Sequence, residues 1–278
     1  MRGQDMRCTP TLAALAAACL LAGLPAAADA QRSDRDWLED CRDHDYGRDE
    51  VYCELRDVEV ESTGRLHIDG GRNGGAQVVG EERSSVAATA RIQTWGETRE
   101  DARARAEQIR IVASGGELGA DGPAGGSWSV SFAVRVPTNY DLVMDARNGP
   151  LTVRGVSGAI EMNTRNGPVR LEDAGGDVRA RTQNGPVQVV LTGSRWSGTG
   201  LDAETRNGPI HLEIPNGFGA ELETGTRNGP FRTEIPLLVT LEGDMGPSRA
   251  REIRTRLGDG GPLVRVVTTN GPVVIERR

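Results

Sequence analysis

The sequence predicts an all-β protein: a β-solenoid-like stack of about seven ~20-residue repeats, preceded by a β-rich module with one short helix. Three observations predict it. The tripeptide Asn-Gly-Pro recurs six times, starting at Asn148, Asn166, Asn184, Asn207, Asn228 and Asn270, with spacings of 18, 18, 23, 21 and 42 residues. Apolar residues alternate with polar ones on both sides of every copy. Outward charged positions alternate in sign from one copy to the next.

The alternation is read in columns. Before each tripeptide stand Leu142, Ile160, Val178, Leu201, Leu222 and Val264. Two residues later come Met144, Met162, Ala180, Ala203, Thr224 and Val266, and two later again Ala146, Thr164, Thr182, Thr205, Thr226 and Thr268. After the tripeptide come Leu151, Val169, Val187, Ile210, Phe231 and Val273, then Val153, Leu171, Val189, Leu212, Thr233 and Ile275. A period of two means strands with one buried face on either side of each turn. An inward threonine needs a hydroxyl partner, and Thr-Thr bonds between neighbouring strands are expected to supply it. Asn tolerates the left-handed region and Gly reaches positive φ freely, so Asn-Gly is expected to reverse the chain through such a turn. Pro then fixes its own φ and removes one donor at the start of the next strand.

Two architectures fit this unit: a stack of like rungs, or a meander in which each Asn-Gly is a hairpin turn. The outward columns favour the stack. Glu161, Arg179 and Asp202 share one column and Asn163, Arg181 and Glu204 the next, so opposite charges meet when rungs stand in register. The double gap before Asn270 is expected to hold a rung that lost its tripeptide, with Leu237–Leu241 as its strand and Gly258–Pro262 as a degenerate turn.

The rest of the chain divides accordingly. Residues 1–30 read as a signal peptide: Arg2 and Arg7, a short apolar run from Thr11 to Leu24, and the cleavage motif Ala28-Asp29-Ala30. A lipid anchor at Cys19 is disfavoured by the apolar residues that follow it. No later segment has the ~18 apolar residues of a membrane span, so no transmembrane segment is expected after cleavage. Residues 31–57 form a polar segment in which Cys41 and Cys53, the two cysteines left after cleavage, are expected to pair in an oxidising compartment. A metal site using them with His44 fits no zinc spacing. Residues 58–141 alternate as strands at Val58–Glu61, Leu66–Ile68, Val86–Trp95 and Trp128–Val136. Thr98 with Asp101 caps a helix carrying Ala102, Ala106 and Ile109 on one face. This module is expected to cap the N-terminal end of the repeat domain, residues 142–278.

The chain resembles a bacterial family of putative adhesins built from β-strand repeats. The residues that carry the resemblance are the strand Trp128–Pro137 ending in Val-Arg-Val-Pro, the Asp141-Leu142 strand start and the repeated Thr-Arg-Asn-Gly turns. It covers roughly residues 58–278. The family commonly has Asn-Gly-Asp where this chain has Asn-Gly-Pro. The resemblance implies a β-strand repeat fold and brings no catalytic residues with it.

Charge and composition bound the activity. The formal net charge is −7, every basic residue is Arg, and acids are mixed among the bases without a basic stripe, so a nucleic-acid partner is not expected. His67 and His211 fall at outward strand positions and read as solvated. No nucleophile, metalloprotease or phosphate-loop motif occurs. The acidic positions Glu172, Glu213, Glu234 and Glu276 recur like surface columns, whereas a catalytic pair would break the repeat. The expectation is therefore a non-enzyme without cofactor or metal, exported to the periplasm, cell surface or medium. It would bind an envelope protein or polysaccharide. The rival reading is a carbohydrate-active β-helix enzyme. One column could be a site: Arg147, Arg165, Arg206 and Arg227 each precede an Asn-Gly-Pro. These arginines are expected to pair with nearby carboxylates, to cap turn carbonyls or to be scattered by irregular turns. A bare, aligned column would instead mark a surface for an anionic polymer.

Overall fold

The computed structural model describes residues 26–43, 49–235 and 251–278. The fold is all-β with two helices. Helix α1 (Ala26–Asp43) is followed by β1 (Glu50–Val60), β2 (Arg65–Asp69), β3 (Ala76–Glu81) and β4 (Val86–Gly96). Helix α2 (Arg99–Glu107) leads into β5 (Arg110–Ser114), β6 (Glu117–Asp121) and β7 (Trp128–Pro137). The repeats supply β8 (Asp141–Ala146), β9 (Leu151–Arg154), β10 (Ser157–Asn166), β11 (Val169–Glu172), β12 (Gly175–Asn184) and β13 (Val187–Val190). They continue with β14 (Gly200–Asn207), β15 (Ile210–Ile214), β16 (Ala220–Asn228) and β17 (Phe231–Thr233), then β18 (Arg251–Leu257), β19 (Leu263–Asn270) and β20 (Val273–Arg277).

These strands form two ten-stranded sheets, ordered β1-β4-β7-β3-β9-β11-β13-β15-β20-β17 and β18-β16-β19-β14-β12-β10-β8-β2-β6-β5. The strands before and after each Asn-Gly-Pro lie in different sheets, which rules out the hairpin reading. Within each sheet, like strands of successive repeats pair in parallel with their columns in register. Ile160 meets Leu142 on one side and Val178 on the other, and Val169 meets Leu151 and Val187. The inward residues of both sheets are buried in one apolar cluster that runs along the whole stack.

Corner chemistry differs from the sequence expectation. Among the described residues the only non-glycine with positive φ is Asp173, so no corner asparagine is left-handed. The corner glycines are required for a different reason. A β-carbon on Gly167 would strike the carbonyl of Gly149, one on Gly185 that of Gly167, and one on Gly208 that of Gly185. The rungs close on each other where only hydrogen fits. The threonines do not bond each other either. Thr164, Thr182, Thr205, Thr268 and Thr226 donate to the carbonyls of Gly149, Gly167, Gly185, Gly208 and Gly271 on the adjacent rung, at 2.8–3.2 Å. Each buried hydroxyl thereby finds a backbone acceptor, and each corner is tied to its neighbour.

The columns also extend further toward the N-terminus than residue 142. Strand β2 pairs in parallel with β8, placing Leu66 against Leu142, and β3 pairs with β9, placing Ala76 against Leu151. The two sheets thus run unbroken across the expected boundary between 58–141 and 142–278. Between β2 and β3 lies Arg72-Asn73-Gly74-Gly75, a seventh corner with glycine in place of proline. The other end departs from chain order. Strand β19 slots between β14 and β16, and β18 pairs antiparallel with β16 at the sheet edge. The strand expected for the hidden rung, Leu237–Leu241, lies outside the described residues, and Gly258–Pro262, expected as its degenerate turn, joins β18 to β19. Charge explains the inserted order. Arg265 on β19 holds Asp202 of β14 at 2.7 Å and Glu223 of β16 at 2.9 Å. In chain order those two carboxylates would face each other.

At the N-terminal end, α1 spans the last residues of the expected signal peptide and the first part of the expected polar segment. Cys41 in its last turn is disulfide-bonded to Cys53 on β1, with α-carbons 6.4 Å apart, and Asp34 pairs with Arg91 of β4 at 2.6 Å. Helix α2 is capped by Thr98, whose side chain accepts from the Asp101 amide, and buries Ala102 and Ala106.

Candidate functional site: an arginine-lined corner

The parallel register places every pre-asparagine residue on one edge of the stack. In spatial order these are Arg72, Arg147, Arg165, Gln183, Arg206, Thr269 and Arg227. All five arginines are exposed. Four of them, Arg72, Arg147, Arg165 and Arg206, line a single groove of about 530 Å³ with Gln183 and the adjacent asparagines, and no carboxylate contributes to it. Among the described residues no carboxylate lies within ion-pair distance of Arg147, Arg165, Arg206 or Arg227. Arg165 donates instead to Gln183, at 3.2 Å. The expectation that these arginines would pair with neighbouring acids is thus overturned. Arginine pairing occurs elsewhere, on the flat faces: Arg181 with Asp202, Arg179 with Asp177 and Arg154 with Glu172.

Beside the arginines runs an asparagine ladder. Asn148 donates to Asn73 at 3.3 Å, Asn166 to Asn148 and Asn184 to Asn166 at 2.7 Å each, and Asn207 to Asn184 at 2.9 Å. Asn270 donates to Asn207 and Asn228 to Asn270, both at 2.8 Å. The amides are occupied with one another, so they fix the corner's shape and leave the guanidinium groups as its charged function. Arg72 and Asn73 escaped the sequence reading because Gly75 replaces proline. The signal that could have found them is Arg-Asn-Gly preceded by the alternating Leu66 and Ile68.

The other candidates sort as follows. His211 is exposed, and His44 lies outside the described residues. His67 is not merely solvated. Its Nδ1 is 2.6 Å from Glu117 and its Nε2 2.9 Å from Asp145, joining β2 to β6 and β8. Burial pulls its pKa down, but the hydrogen bonds to Asp145 and Glu117 and their charges outweigh this and raise it above 6.5. The sign follows. A raised folded pKa gives stability that is complete below the unfolded value and is lost as pH rises through the folded value. Denaturant midpoints should therefore fall across that window, by under ~1 kcal/mol for so exposed a pair. The His67→Gln variant should lack this step, and an identical pH profile in the variant would refute the assignment. In the acidic column, Glu172 sits between Arg170 at 3.2 Å and Arg154 at 3.5 Å. Burial pushes its pKa up, and the two arginines more than offset that and lower it. Its register neighbours are Val190 and Arg154, whereas Glu213 of the same column stands in register against Glu276.

No family model matches the chain, and no curated protein does. Among solved structures it is similar to a putative cell adhesion protein from Clostridium sporogenes, with 11% identity and a TM-score of 0.46 over 82% of this chain and 100% of that one. It is also similar to a putative adhesin from Bacteroides fragilis, with 12% identity and a TM-score of 0.37 over 82% of this chain and 97% of that one. A third is a putative lipid binding protein from Parabacteroides distasonis, with 8% identity and a TM-score of 0.30 over 81% of this chain and 96% of that one.

Proposed function

We propose that this chain is an exported, non-enzymatic binding or scaffold module of the cell envelope, whose β-repeats wind as a solenoid and whose arginine-lined corner binds an anionic polysaccharide. The observation that carries this reading is the row of exposed arginines along one edge of the stack, which have no carboxylate partners among the described residues. Neighbouring strands stand about 4.8 Å apart, so Arg72, Arg147 and Arg165 offer like charges one rung apart, and Arg206 and Arg227 follow at two-rung steps beyond Gln183 and Thr269. Such charges repel, and a linear polymer carrying repeated anionic groups offsets the repulsion. Guanidinium groups suit carboxylate and sulfate by presenting paired donors.

Export is supported by the leader-like residues 1–30 and by the Cys41–Cys53 disulfide, a bond that oxidising compartments favour and that is rare in the cytosol. No helix among the described residues is long and apolar enough to cross a membrane.

The test uses immobilised polygalacturonate as the anionic probe and dextran as the neutral one. The wild-type chain should bind the former and ignore the latter. Replacing Arg147, Arg165, Arg206 and Arg227 by Gln should weaken binding more than about tenfold, ~1.4 kcal/mol. Thermal stability should hold or rise slightly, because repulsion is relieved. Equal binding by the two proteins, or equal retention on dextran, would contradict the proposal.

A further inference from the structure

The asparagine ladder has a direction. Each side chain donates from Nδ2 to the Oδ1 of its neighbour on the Asn73 side and accepts at its own Oδ1 from the other side. Asn73 closes the near end by donating to the Gly126 carbonyl. Among the described residues the far end is open. Asn228 donates to Asn270, but among the described residues nothing donates to the Oδ1 of Asn228.

The backbone repeats this asymmetry. The N–H groups of Gly167, Gly185, Gly208 and Gly271 donate to the carbonyls of Asn184, Asn207, Asn270 and Asn228 on the adjoining rung, and Gly74 donates to Gly70. Gly229 is the next in this series and finds no acceptor among the described residues. Gly149 also lacks one. Its partner Asn148, however, is held on both sides: Nδ2 by the Arg72 carbonyl at 2.7 Å and by Asn73, and Oδ1 by Asn166. Asn228 and Gly229 are both exposed.

We propose that Asn228-Gly229 is a site of spontaneous deamidation through a cyclic imide, and that the ladder protects the other asparagines from the same reaction. Glycine after asparagine leaves the backbone nitrogen unobstructed by a β-carbon. The Gly229 nitrogen gives up its proton to solvent base and attacks Cγ of Asn228. The new N–Cγ bond forms, the Cγ–Nδ2 bond breaks, and the nitrogen departs as ammonia after taking a proton from water. Water then opens the imide at either carbonyl, leaving aspartate or isoaspartate. At Asn166, Asn184, Asn207 and Asn270 the same attack must first break the glycine N–H bond and both side-chain ladder bonds, and at Asn148 the side-chain bonds on both sides. At Asn228, among the described residues, only the bond to Asn270 is lost. The product carboxylate stands beside Arg227 and lowers the positive charge at that end of the column.

The full chain, folded, is incubated at mildly alkaline pH and sampled over time, and its peptides are resolved into Asn, Asp and isoAsp forms by mass spectrometry. Asn228 should convert at least about tenfold faster than any other ladder asparagine, and both products should accumulate. In denaturant the rates at all ladder asparagines should converge. Folded-state conversion at Asn166, Asn184 or Asn207 as fast as at Asn228 would overturn the proposal, as would conversion of Asn228 without isoaspartate.

Discussion

Leu212→Ala should destabilise the protein by about 2–5 kcal/mol in a denaturant titration. Leu212 is 1% exposed on β15, stacked in register between Val189 of β13 and Ile275 of β20. The stack is thin, with one inward layer from each sheet, so neighbours have little freedom to collapse into the space left behind. Parallel pairing fixes the rungs above and below, and the facing sheet is fixed by its own register. The lost transfer energy and the cavity therefore both count. His211→Ala, one residue away on the opposite face and exposed, should stay within about 0.5 kcal/mol of wild type. If the two variants unfold at the same midpoint, the column containing Leu212 is not a core.

Gly185→Ala should cost about 3 kcal/mol or more, toward the top of the range for forcing atoms into packed space. The new β-carbon would collide with the carbonyl of Gly167 and come within 3.2 Å of the Pro168 nitrogen. These are backbone atoms, so no side-chain rotation relieves the clash. The rungs would have to separate, and separation weakens the Gly167 amide bond to Asn184 and the Thr182 bond to Gly167. Gly193→Ala separates this cause from a dihedral one. Gly193 has φ of 70° and open space around its missing β-carbon, so alanine there pays only the left-handed penalty, ~1–2 kcal/mol. A Gly185 variant no worse than the Gly193 variant would mean that the corner glycines serve chain reversal and not close approach.

The period and the columns were legible because burial imposes a two-residue alternation on every strand, whatever the turn. Local rules misread the corner for a stated reason. Asn-Gly has a strong left-handed reputation in hairpins, yet here the chain turns from one sheet into the other with its asparagines at negative φ. Their use is lateral, toward the next rung, and lateral partners are not visible in a tripeptide. The threonine hydroxyls follow the same logic, since a glycine carbonyl on the adjacent rung is nearer to use than another threonine. The order of the last rungs was hidden because chain order is the natural assumption. The charges nevertheless contained the answer: Glu161, Arg179, Asp202, Arg265, Glu223 and Arg254 alternate in sign only with β19 inserted and β18 at the edge. Helix α1 offered little signal, since its residues are polar and its contacts to β1 and β4 are tertiary. The arginine column was read as a column from sequence, but its freedom from carboxylates depends on side-chain reach, which spacing does not encode.

The affinity of the wild-type chain for polygalacturonate, measured in solution across ionic strength, tests the functional claim most directly. The screening length falls from ~30 Å at 0.01 M salt to ~3 Å at 1 M, so an interaction built on the exposed arginines should weaken steeply along that series. The four-arginine variant should show a flat response at low affinity. A wild-type affinity that holds constant from low to high salt would contradict an arginine-based polyanion site.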